Sequence, residues 1–187
     1  AMVAGGKADM ECGVTTVTLK RQEKVDFSSV TFLQSGSVLT RADALIKKSA
    51  DLAGKKVSVV AGTTTEKRIS EALAAAKIAA EIVPFKNRDD AFAALEEGKV
   101  QAMAGDKIVL VGLVALDSSN SRYSMLAEDF SVEPYGLGLR RGDPDFRLAV
   151  NRGLAQTYRS GAIVPLFDRW FAPFAPSEAL IAIYNLN

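Results

Sequence analysis

The sequence contains no histidine and one cysteine, Cys12. Without histidine, neither a Ser-His-Asp nor a Cys-His catalytic arrangement can be assembled, and His-ligated metal sites are excluded. One cysteine allows neither a disulfide within the chain nor a thiolate zinc cluster. An excess of either charge is missing too. With 23 Lys and Arg against 22 Asp and Glu, the formal net charge is +1, and nothing electrostatic favours nucleic acid as a main partner. Long apolar runs are absent. The longest, Ile108 to Leu116 (IVLVGLVAL), has nine residues, whereas a membrane-spanning helix needs about 20. The opening AMVAGGKADM lacks a basic stretch followed by an apolar one, so no signal peptide is expected in this chain. Ala1 ahead of Met2 reads as a cloning scar, which leaves Met2 as one candidate for the native start.

What is present is ordinary globular material. The chain has 187 residues, 48% hydrophobic and 24% charged, which excludes disorder and leaves room for one large domain or two small ones. Lys56 to Ala61 (KVSVVA), between Gly54 and Gly62, reads as a buried strand. Gly62-Thr-Thr-Thr-Glu66 then reads as a helix start with a Thr cap, and Ile69, Leu73 and Ala76 share a face of that helix. Glu81 to Phe85 is the next strand and Asp89 to Glu97 the next helix, stopped by Gly98. Val100 to Ala104 is a third strand, and Asp106 to Leu116 a largely buried helix. This β-α-β-α-β-α order calls for a parallel sheet with helices on both faces, an α/β fold.

The flanks differ. Thr31 to Arg41 (TFLQSGSVLTR) and Val132 to Arg141 (VEPYGLGLRR) are long extended segments, the first interrupted at Ser35-Gly36-Ser37 and the second at Pro134 and Gly136. Bracketing the compact block, they predict two crossings between lobes. Residues 40–130 are expected to form one lobe with a five-stranded sheet, and residues 2–35 with 135–187 a partial other lobe. The hinge strands fall near 34–38 and 133–137. Helices are expected over Phe146 to Ser160, Ile163 to Phe171 and Ser177 to Tyr184, and Ser118 to Arg122 is a polar loop.

Gly13-Val-Thr-Thr16, Arg21 and Val25-Asp-Phe-Ser28 together resemble the ligand-gripping stretch of the family 3 extracellular solute-binding proteins, the polar amino-acid receptors of ABC importers. The likeness continues in order through Ala50-Asp-Leu-Ala-Gly-Lys55, Val59 to Thr64, Ala94 to Lys99, Pro134-Tyr-Gly136, Arg141-Gly-Asp143, Val150-Asn151 and Asp168-Arg-Trp-Phe171. Met10-Glu-Cys-Gly13 and Gly62 to Glu66 look most like the glutamate/aspartate branch. The resemblance implies the type II periplasmic binding protein fold, two α/β lobes closing on a ligand at the hinge. It also implies a periplasmic location, an importer permease as partner, and no catalysis, cofactor or metal. Family members carry a strand-helix-strand-helix segment ahead of the position of Val3. Without it the first lobe is expected to be N-terminally truncated, with binding expected to be weakened and a homodimer expected to cover the exposed edge. The branch's second cysteine falls at Leu137, so Cys12 is expected to be a free, buried thiol.

An amino acid needs a bidentate cation for its carboxylate and acceptors for its ammonium. Arg21 suits the first, helped by Gly13, Thr15 and Thr16, although Arg21 also belongs to a charged run, Lys20 to Lys24, of the kind that faces solvent. Thr63 and Thr64 open a helix after a strand, where backbone N–H groups favour an anion. The resemblance makes Asp106 the ammonium acceptor, while its residue type and position also suit a helix cap. Arg88 stands where the glutamate/aspartate relatives use a histidine for the side-chain carboxylate. It reads equally well as a surface residue balanced by Asp89 and Asp90. The expected function is binding of glutamate, aspartate or another polar amino acid. The alternatives are a non-binding remnant that oligomerises, and a dehydratase-like enzyme on the same fold.

Overall fold

The computed structural model describes residues 2–116, 120–172 and 174–186. Ala1 and residues 118–119 of the expected polar loop lie outside them. In chain order the first elements are β1 (Met10–Glu11), α1 (Leu19–Gln22), β2 (Asp26–Arg41), β3 (Lys56–Val60), α2 (Thr64–Ala75), β4 (Glu81–Phe85) and α3 (Arg88–Glu96). They are followed by β5 (Ala102–Asp106), α4 (Lys107–Leu116), β6 (Tyr123–Met125), β7 (Ser131–Leu139), α5 (Pro144–Arg159), α6 (Ile163–Phe171) and α7 (Glu178–Asn185). The chain forms two compact units, Gln34–Glu133 and Ala1–Leu33 with Pro134–Asn187. It passes from one to the other inside β2 and again inside β7.

Neither crossing segment is interrupted where its small residues suggested. β2 runs unbroken for 16 residues through Ser35-Gly36-Ser37. These residues are small because neighbours press on them. A Cβ on Gly36 would lie 2.5 Å from the Phe130 ring and from Ser131 Oγ, and Ser37 is fully buried. β7 likewise continues through Pro134 and Gly136, where a Cβ on Gly136 would lie 3.0 Å from Val17.

In the unit Gln34–Glu133, the ladder runs β2-β5-β3-β4, with β6 pairing β2. The three strands alternating with helices are parallel, β3 lying between β4 and β5. The parallel expectation stops there: β2 is antiparallel to β5, and β6 to β2. Strand periodicity of two sends alternate residues to opposite faces. Val57 and Val59 join Ile69 and Leu73 of α2 in one cluster, with Val38, Leu52 and Ala104. Leu39 and Met103 join Ala91, Ala94 and Leu95 of α3 in the other, with Val100 and Leu110. Ser58, fully buried between the two valines, points to the α3 side and donates to Ala91 O at 3.0 Å. Two apolar layers thus clamp the strands, each buried Leu or Val contributing roughly 1.5–3 kcal/mol. α2 starts on Thr63, whose Oγ1 accepts the Glu66 N–H at 3.2 Å while the Glu66 carboxylate accepts the Gly62 N–H at 2.7 Å.

In the other unit, β1 pairs antiparallel with β7, Met10 opposite Leu139, and Thr16 bridges Tyr135. Phe32 of β2 stacks on Tyr135 and lies 5.2 Å from the Phe171 ring of α6. Tyr158 of α5 and Tyr184 of α7 stack at 4.8 Å, and the Tyr184 hydroxyl donates to Thr31 O at 3.3 Å. Cys12 corrects one expectation: it is free but exposed. It follows a strand of two residues, too short to carry it under any packed layer.

Two predictions follow from this packing. Leu95→Ala should lower unfolding free energy by about 2–5 kcal/mol in denaturant titrations. Leu19→Ala, at a side chain 84% exposed, should change it by less than about 0.5 kcal/mol. Equal effects would contradict the assignment of the core. The second concerns alkali. Burial pushes the Tyr184 phenol up to about 12 and raises Tyr158 as well. A phenol whose folded pKa is raised stabilises fully below its unfolded value, about 10, and ceases to do so as pH climbs through 12. Tyr184→Phe should therefore flatten the fall in melting temperature between about pH 9 and 12. An unchanged slope would contradict the prediction.

Candidate functional site

The strand order sets out the candidate site of the unit Gln34–Glu133. α2 carries the chain from β3 to β4, and α3 then carries it back past β3 to β5 on the other side. The chain leaves the carboxyl ends of β3 and β5 in opposite directions, and a crevice opens between such ends. Gly62 to Thr65 follow β3 on one side of it, and Asp106, the last residue of β5, stands on the other. Thr65 is buried, and its hydroxyl donates to Asp106 Oδ1 at 3.2 Å. The neighbouring Lys107 is matched by Asp129, with Nζ 3.2 Å from both carboxylate oxygens. Lys107 is thus held by Asp129. The result is a carboxylate beside the N-terminus of a 12-residue helix. An acceptor for an ammonium group and a partial positive charge for a carboxylate stand next to each other.

The expected residues do not all play equal parts. The Thr63 hydroxyl is spent on the helix cap and on a 2.7 Å bond to Val60 O, so it is its place in the turn that serves the site. Thr64 is half-buried in the first turn of α2. Arg88 opens α3 just beyond β4, at the same carboxyl edge as Asp106 but two strand positions away, about 10 Å at ordinary strand spacing. It is exposed, with Asp89 at a loose 3.8 Å. Thr65 was missed. Its signal was the spacing of Thr65, Ile69 and Leu73, four residues apart on the buried face of α2.

The other unit holds Gly13, Thr15, Thr16 and Arg21 in the segment between β1 and β2. Arg21 lies in the short helix α1, capped by Thr18, and its Nη1 donates to Thr16 O at 2.6 Å. That bond holds the half-buried guanidinium against a backbone itself fixed by the Thr16–Tyr135 bridge. Thr15 O accepts the Gly136 N–H at 3.4 Å. A side chain at Gly13 would collide with the Glu11 carboxylate. Of these four residues, Arg21 and Thr16 are bonded to each other, and Gly13 and Thr15 share their segment. Among the described residues, no group of three or more Cys, Asp or Glu is placed to hold a metal ion. No described helix is long and apolar enough to cross a membrane.

Comparison with known proteins finds relatives along the whole chain. The chain is 34% identical over 186 residues to an L-glutamate/L-aspartate-binding protein of Pseudomonas aeruginosa, covering 100% of this chain and 60% of that protein. It is 32% identical to a glutamate/aspartate import solute-binding protein of Salmonella typhimurium, covering 100% of this chain and 62% of the relative. The chain therefore spans about three fifths of the length of the curated relatives it matches. Among solved structures, an ancestral arginine-binding protein bound to glutamine superposes with a TM-score of 0.79 at 29% identity, over 91% of this chain and 74% of that one. The fold is that of the type II periplasmic binding proteins, matched in part of their length. With the family model matching residues 1–173, the chain belongs to the bacterial extracellular solute-binding proteins, family 3.

Proposed function

We propose that this chain is a binding component of an ABC importer for an acidic amino acid, glutamate or aspartate, and that it binds without catalysis. The observation that carries the reading is the Thr65–Asp106 pair beside the start of α2. Asp106 is the acceptor for the ammonium group, held in orientation by a buried hydroxyl. Within its own unit, Arg21 is fixed by the Thr16 carbonyl and offers the two parallel donors that suit a carboxylate. Arg88 adds a second cation, which favours an acidic side chain over a basic one. The names of the Pseudomonas and Salmonella relatives support the same ligand class. With no histidine in the chain, the commonest general acid and base is unavailable. A periplasmic location and a permease partner belong to this reading.

A second reading, a folded chain that binds no amino acid and associates with itself, is favoured by the large apolar side chains left exposed at Leu166, Trp170 and Phe174.

Isothermal titration with L-glutamate, L-aspartate and L-arginine separates the two. Heat is expected with the acidic ligands and not with arginine. Asp106→Asn should weaken binding about 10–150-fold, since a charge-assisted hydrogen bond is worth about 1.5–3 kcal/mol. Preference for arginine, or equal affinity in a folded Asp106→Asn variant, would overturn the assignment. Absence of heat with all three would leave the second reading standing.

A further inference from the structure

Three charges meet where β5 ends, all within the unit Gln34–Glu133. Lys107 directly follows Asp106, so their Cα atoms are about 3.8 Å apart. Asp129 holds the Lys107 ammonium with both carboxylate oxygens at 3.2 Å. The two side chains of that ion pair are 40% and 30% exposed, so water screens neither charge fully. Asp129 is brought here by the backbone and not by the ion pair alone. The next residue, Phe130, donates its N–H to Gly36 O at 2.8 Å, and its ring fills the space that a Gly36 side chain would take. Gly36 is in turn the strand partner of Asp106 in the β2–β5 ladder. The stretch that carries Asp129 is therefore tied to the sheet at the level of Asp106.

We propose that Asp129 is a specificity-determining residue: by neutralising Lys107 it makes the site select ligands that carry an ammonium group. The inference rests on the reading above, in which Asp106 receives the ammonium of an amino acid. Two carboxylates against one lysine leave the cluster of Asp106, Lys107 and Asp129 with one negative charge, which an ammonium ion balances. With Asp129 uncharged, the same three residues sum to zero. An arriving ammonium then meets an unmatched lysine one residue from its acceptor, and like charges at that range repel. A dicarboxylate that lacks the ammonium loses nothing by the change and is drawn to the added positive charge. Asp129 acts through Lys107 and is a positioning residue, not a ligand contact.

The probes are L-glutamate and glutarate, the same dicarboxylate without the ammonium, titrated calorimetrically into the whole chain. In about 10 mM salt, where charges act over about 30 Å, Asp129→Asn should cut the preference for L-glutamate over glutarate roughly threefold to tenfold. The cut should largely vanish in about 1 M salt, where that range shrinks to about 3 Å. Asp129→Glu should keep the preference. Lys107→Met, added to Asp129→Asn, should restore it, because the cluster regains its one negative charge. A fault in packing would be reversed by neither salt nor the second substitution. An unchanged preference in a folded Asp129→Asn variant would overturn the proposal, and so would a loss that Lys107→Met leaves in place. Absence of heat with both probes in the unaltered chain is a distinct result: the binding reading then fails and this inference with it.

Discussion

The passage of α3 back across β3 is the constraint on which the rest of the candidate site depends. It sets β5 beside β3 and parallel to it, so that the carboxyl ends of two neighbouring strands lead away from each other. Asp106 can meet Thr65 only because of that placement, since 41 residues separate them in sequence. The crossover is in turn held by packing. Ala91, Ala94 and Leu95 bury α3 on the face opposite α2, and Ser58 ties it to β3 through the Ala91 carbonyl. Loosening that face would disturb the carboxylate without touching it.

The alternating part of the fold was legible because its signals are local. Gly54 and Gly62 bound β3, Thr63 caps α2, and the spacing of Ile69 and Leu73 fixes the buried face of that helix. The crossing strands were less legible. A glycine between serines is a normal sign of a turn, and in β2 it instead makes room for Phe130 and Ser131, which are about a hundred residues away in the chain. Contacts of that range leave no local trace. The antiparallel placement of β2 beside β5 escaped for the same reason.

The site was legible by residue type more than by geometry. Threonines at a helix start and an aspartate ending a strand were readable, whereas Thr65 looked like one more member of a polar turn. Its partnership with Asp106 depends on strand order. Arg88 shows the converse. Its place after a strand was readable, and its separation from Asp106 by two strand positions was not. Cys12 was misread because buried cysteines are common, whereas a strand of two residues offers no layer to bury one.

The central claim is that the crevice between the ends of β3 and β5 receives the amino acid. The most direct measurement follows the backbone amides by nuclear magnetic resonance while L-glutamate is added to the isotopically labelled chain. The account predicts that in the unit Gln34–Glu133 the largest shifts fall at Thr63, Thr64, Thr65 and Asp106, saturating together at a single dissociation constant. Shifts confined to other residues of that unit, such as those lining the cavity at Arg41, Glu96 and Tyr123, would contradict it.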